Sequence, residues 1–256
     1  MSEHVLVSKD ESGCLSITLA RPERRNAITV SMYAAMADAI ERAGQDDEIR
    51  LVTIEGAGED FTSGNDLFDF LQAIPEPGSE TDIPVWRFLR AMARNTVPIV
   101  AAVHGNAVGI GTTMLLHCDL VLVEQGARLV MPFVDLGLVP EAASSLILPR
   151  LAGRRAAARY LLLGEPMGAE EALAAGIASH LVERGKLDES LNQIVATLLA
   201  KPKEALRQTQ TLLRQKSDDE ILDRMNIENG HFSERLASDE VKQAISTFFA
   251  ARGAKS

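Results

Sequence analysis

Val103-His104-Gly105-Asn106-Ala107-Val108-Gly109-Ile110-Gly111 decides how the rest of the chain is read. An apolar run, Ile99–Val103, reads as a buried strand, and Gly109–His117 reads as a short helix entered through glycines. Glycines let the backbone approach a ligand closely, and a helix start offers unsatisfied N–H groups and partial positive charge. The geometry suits an oxyanion or a phosphate. It is not the dinucleotide fingerprint, because Thr112, Thr113 and Met114 follow where a third glycine is needed, and no Walker lysine follows. A tight packing turn is the competing reading of the same glycines.

Upstream, Gly56-Ala57-Gly58-Glu59-Asp60-Phe61-Thr62-Ser63-Gly64-Asn65-Asp66-Leu67 repeats the arrangement after the strand Leu51–Ile54, with Asp66 as a helix cap. Two such loops can bring two N–H donors around one carbonyl oxygen, an oxyanion hole worth a few kcal/mol per donor. Outward from them, Val5–Ser8 and Leu15–Ala20 form a hairpin pattern, Met32–Arg42 and Trp86–Ala93 are helices, and Leu120–Val123 and Leu129–Met131 are short apolar strands. After Pro140 the pattern predicts almost nothing but helices: Leu146–Leu148, Arg154–Leu163, Ala169–Ala175, Leu187–Leu199, Lys203–Gln215, Ile221–Leu236 and Val241–Ala250. The fold class expected is α/β, with residues 1–200 as core and 201–256 as a helical region divided near Lys201-Pro202.

The chain has 256 residues, a net charge of −10 and 46% hydrophobic residues, enough for a sizeable core and unsuited to a general nucleic-acid surface. Residues 1–13 contain no apolar secretory segment, and the apolar run near Val97–Val103 is too short for a bilayer span. Cys14 and Cys118 are far apart, without metal-like spacing, and read as buried thiols of a reducing, cytoplasmic setting. No His/Asp/Glu cluster has metal spacing, and no Gly-x-Ser-x-Gly elbow occurs.

Several ordered motifs resemble the crotonase (enoyl-CoA hydratase/isomerase) superfamily. They are Arg21–Ala27, Phe61–Leu67, Val103–Gly109, Cys118-Asp119-Leu120, Pro132–Glu141, Gly164–Ala172 and Gly176-Ile177. The resemblance implies a spiral of ββα units, a C-terminal helical trimerisation region and acyl-CoA thioester substrates. It implies a homotrimer or dimer of trimers, no membrane or nucleic-acid partner, and no cofactor beyond the coenzyme A of the substrate. It places the oxyanion amides at Asn65 and Ile110. It places coenzyme A near Arg21, Arg24, Arg25 and Ala27, and alongside Asn65, Asp66 and Leu67.

Typical hydratases of that family carry two glutamates at motif positions occupied here by Thr113 and Phe133. Glu141, in Leu138-Val139-Pro140-Glu141-Ala142-Ala143-Ser144-Ser145, resembles instead the single acid/base of the Δ3,Δ2-enoyl-CoA isomerases. It is expected at the start of a helix, where a glutamate also simply complements the dipole. An apolar pocket would raise its pKa and the dipole would lower it. His104, His117 and Asp135 are expected to be structural. The alternatives are an atypical hydratase, decarboxylase or hydrolase on an acyl-CoA thioester, or a non-catalytic binding protein on the same fold. The acidic charge and lack of a Lys/Arg-rich run count against RNA binding.

Overall fold

A computed structural model describes residues 2–72, 83–214 and 218–253. The hairpin forms as expected: β1 (Val5–Lys9) pairs antiparallel with β2 (Cys14–Leu19). Next come α1 (Val30–Gln45), β3 (Leu51–Gly56), α2 (Leu67–Gln72) and α3 (Pro84–Arg94). The central stretch holds β4 (Ile99–Val103), β5 (Asn106–Val108), α4 (Ile110–Thr113), β6 (Leu120–Glu124) and β7 (Arg128–Val130), with a 3₁₀ turn at Met114–His117.

Beyond it lie α5 (Ser144–Ala152), α6 (Arg154–Leu162), β8 (Met167–Gly168), α7 (Ala169–Ala174) and β9 (His180–Val182). The chain ends with α8 (Leu187–Leu199), α9 (Lys203–Arg214), α10 (Asp218–Leu236) and α11 (Asp239–Gly253). The architecture is the expected mixed α/β fold.

One six-stranded sheet runs β1-β2-β3-β4-β6-β9, all parallel after the first pair, and a three-stranded sheet runs β5-β7-β8. Parallel strands covered on both faces are apolar throughout, and β4 (Ile-Val-Ala-Ala-Val) is buried at every residue. Helix α1 packs beside α3, burying Met32, Met36 and Ile40 with Phe88 and Met92.

The chain after Pro140 is mostly helical, as expected, but β8 and β9, between the expected helices, are strands that the sequence did not suggest. Two or three residues cannot display an alternation, so these strands exist because the sheets supply partners for them. β9 extends the parallel ladder from β6, and Ser179 beside it fixes the register by accepting from Val121 N–H at 2.9 Å and donating to Val121 C=O at 3.0 Å. Cys14 is buried as expected, whereas Cys118 is only half-buried. The C-terminal helices return to the core: Phe232 of α10 meets Trp86 of α3 edge-on, with centroids 5.9 Å apart.

Candidate active site

The two glycine loops lie side by side. Thr62 N–H donates to Asn106 C=O, and Val108 N–H to Thr62 C=O, each at 3.0 Å. The approach is close enough to demand glycine. A Cβ on Gly111 would lie 2.4 Å from Thr62 Cγ2, and one on Gly64 (φ +88°) would lie 2.7 Å from Val108 C=O. Ile28 braces the first loop by donating to Gly64 C=O at 2.8 Å and accepting from Asp66 N–H at 2.9 Å. Among the described residues, neither Asn65 N–H nor Ile110 N–H, the latter opening α4, has a hydrogen-bond partner. Two unspent donors on adjacent loops are what a developing oxyanion requires.

Sequence reasoning missed Tyr33. Its hydroxyl, buried under α1, donates to Asn65 Oδ1 and so fixes the residue whose amide is one of those donors. Burial, followed by the charge of Glu141, raises the Tyr33 pKa well above its ordinary value and keeps it a donor.

Glu141 is 1% exposed, and its Oε1 has no hydrogen-bond partner among the described residues. Burial, then the neighbouring Glu228 carboxylate, pushes its pKa up to about 8, with the Thr113 side chain acting the other way. It does not sit in a first helical turn, as the sequence suggested. Helix α5 begins only at Ser144, and Glu141 is carried by the turn before it, where Ala142 (φ 59°) and Ala143 (φ 54°) are both left-handed. The expected pull of the dipole is therefore outweighed by burial. Glu228 of α10, unnoticed in the sequence, takes the helix-start N–H groups instead, accepting from Ala143 at 2.6 Å and Ser145 at 3.0 Å.

Thr113 is buried in α4 beside Glu141, and Phe133 lies in the main apolar core. His117 is buried and neutral, its pKa lowered to about 4 mainly by burial, and its Nε2 donates to Ala142 C=O at 2.8 Å. His104 Nε2 donates to Gly58 C=O at 3.0 Å, so both histidines brace loops.

Arg21 faces inward, pairing with Asp66 at 2.7 Å and donating to Ala27 C=O at 3.2 Å. Asp66 also caps α2, accepting from Phe68 and Asp69 N–H at 3.2 and 3.3 Å, and Leu67 is the first residue of that helix. Arg24 and Arg25 are exposed at the turn where the chain leaves Pro22, with Arg25 lying 3.8 Å from Asp60. Asn26 is buried and left-handed. It donates to Ala57 and Asp60 C=O at 2.8 Å and stitches the arginine loop to the first glycine loop. Left-handed backbone favours Asn, which is the one local signal it carries.

The family profile described as enoyl-CoA hydratase/isomerase matches residues 9–255. The chain belongs to that family. This enoyl-CoA hydratase/isomerase relative is 32% identical to 1,2-epoxyphenylacetyl-CoA isomerase of Escherichia coli (strain K12), covering 98% of this chain and 97% of that one. It is 33% identical to enoyl-CoA delta isomerase 2 of Rattus norvegicus over 96% of this chain, and spans 63% of that longer protein. An enoyl-CoA hydratase/isomerase crystal structure from Pseudoalteromonas atlantica T6c superposes with a TM-score of 0.91 at 40% identity, covering 97% and 98% of the two chains. The expected crotonase fold and membership are thus borne out. Matching relatives also include a 2,3-dehydroadipyl-CoA hydratase and a 4-chlorobenzoyl coenzyme A dehalogenase, so the family fixes an acyl-CoA enzyme and leaves open which reaction it runs.

Proposed function

We propose that the enzyme shifts the double bond of a 3-enoyl-CoA to the 2-position, with Glu141 as its single acid/base. The carrying observation is a deeply buried carboxylate whose Oε1 has no partner among the described residues and whose pKa is pushed up to about 8; the family resemblance puts Thr113 and Phe133 where hydratases carry glutamates. The Glu141 carboxylate takes a proton from C2, and the electron pair of that C–H bond forms a C1–C2 double bond as the carbonyl π pair moves onto the thioester oxygen, giving a dienolate that keeps the C3–C4 double bond. Asn65 and Ile110 N–H hold the resulting dienolate oxygen. Protonated Glu141 then delivers its proton to C4: the carbonyl re-forms, the C1–C2 π pair becomes the C2–C3 double bond, and the C3–C4 π pair takes up the proton, leaving 2-enoyl-CoA. An acid/base with a pKa near neutrality serves both halves.

Glu228 is not a second hydratase-type carboxylate in this reading, because its two oxygens already accept from Ala143 and Ser145. The enoyl-CoA delta isomerase names of two relatives support the same choice. Exposed Arg24 and Arg25 offer charge for the coenzyme A phosphates, with Arg21, Ala27, Asp66 and Leu67 framing the entrance. Assembly into a trimer or dimer of trimers through the C-terminal helices fits Leu212 and Leu213 of α9, which are 73% and 78% exposed in one chain.

The test is a spectrophotometric screen of 2- and 3-enoyl-CoA thioesters of several lengths. Conversion of 3-enoyl to 2-enoyl without hydration supports the reading. Hydration of 2-enoyl-CoA with no isomerisation overturns it.

A further inference from the structure

We infer that Glu228 is a positioning residue for Glu141: from the distant helix α10 its carboxylate clamps the left-handed turn that aims the acid/base into the site. The inference rests on Glu141 being that acid/base. The clamp is physical. Two successive alanines in the left-handed region each carry an unfavourable backbone conformation, which persists only where the surroundings hold it. Here two side chains hold it. Glu228 grips the Ala143 and Ser145 N–H groups, while His117 Nε2 donates to Ala142 C=O. His117 ends the 3₁₀ turn that continues directly from α4, the helix opened by Ile110. The turn carrying Glu141 is therefore tied both to the oxyanion helix and to the C-terminal region.

The clamp has an electrostatic consequence. The groups facing Glu141 are Glu228 from α10, Tyr33 from α1 and Thr113 from α4, with Arg224 one turn along α10 acting on Glu228. Neither Glu228 nor Tyr33 brings positive charge to Glu141. Burial also raises the pKa of Glu228, while its bonds from Ser145 and Ala143 favour the carboxylate form. An anionic Glu228 beside Glu141 favours the protonated form of Glu141, so its removal makes Glu141 more acidic.

The experiment pairs infrared pH titration of the ligand-free protein with pH profiles of kcat/KM. The protonated-carboxyl band of Glu141 is assigned by its loss in Glu141→Gln. In Glu228→Gln the midpoint of that band falls by about one pH unit or more, the acid limb of kcat/KM moves with it, and kcat falls about tenfold. Glu228→Asp, which keeps the charge on a shorter stem, leaves the midpoint near the wild-type value while kcat still falls. If Glu228→Gln does not fold, Ala143→Gly in the same chain relieves the left-handed strain and provides the folded background for the titration. A Glu228→Gln midpoint and acid limb both unmoved from wild type overturn the inference. A shifted infrared midpoint with no isomerase activity in any variant leaves the clamp standing and rejects the isomerase reading instead.

Discussion

The two halves of the site are built in opposite ways. The oxyanion side is made of backbone: two glycine loops pressed together, with the Asn65 and Ile110 N–H groups unspent among the described residues. The acid/base side is made of side chains from α1, α4 and α10 closing around one carboxylate. Backbone donors need close approach and little else, so short local motifs encode them. A carboxylate with a raised pKa needs burial and a chosen neighbour, and these arrive only with the tertiary fold. The first half is common equipment for enolate chemistry, and the second selects the reaction.

Removing one member from each half breaks the comparison at its strongest points. Glu141→Gln should lower isomerase kcat about 10³-fold while coenzyme A binding, measured calorimetrically, stays near wild type. Gly64→Ala puts a Cβ against Val108 C=O and should displace the Asn65 amide, costing about 10²-fold in kcat/KM.

The contrast explains what could be read in the sequence. Gly64, Gly109, Asp66 and Asn65 announce themselves because turn, cap and helix start are neighbours in the chain. Glu228 lies 85 residues from the Ala143 amide it accepts from, and Tyr33 lies 32 residues from Asn65. On a helix each resembles an ordinary residue, and only packing gives it a role. Glu141 stands between these cases: its motif was legible, but its place before the helix was not, since nothing local predicts two left-handed alanines. The strands β8 and β9 were hidden for the same reason, being too short to carry a pattern of their own.

Smaller effects sharpen the division. Because folding raises the Glu141 pKa to about 8, the native state holds a proton that the unfolded chain releases near its ordinary value of 4.5. The native state thus binds more protons between those limits, and Glu141 costs progressively more stability as pH rises from about 4.5 to about 8. Glu141→Gln should therefore be more stable than wild type at pH 8, by on the order of 4 kcal/mol in denaturant titrations, with the gap closing toward pH 5. An equal gap at both pH values would contradict the buried-carboxyl assignment.

Tyr33→Phe keeps the ring but loses the hydroxyl on Asn65, and should lower kcat/KM about tenfold, the worth of one buried hydrogen bond. A variant that matched wild type would show that the Asn65 amide holds its place without the Tyr33 hydroxyl. Leu212→Asp with Leu213→Asp should leave the single-chain fold intact and lower the assembly mass seen by sedimentation; an unchanged mass would move the interface elsewhere.

The most direct measurement follows deuterium placed at C2 of a 3-enoyl-CoA through a single turnover in ordinary water. One buried carboxylate shuttling the proton predicts that part of the label reappears at C4 with the wild-type enzyme, while Glu141→Gln leaves the C2 label in place. Loss of the C2 label from Glu141→Gln at the wild-type rate would contradict the assignment of Glu141 as the acid/base.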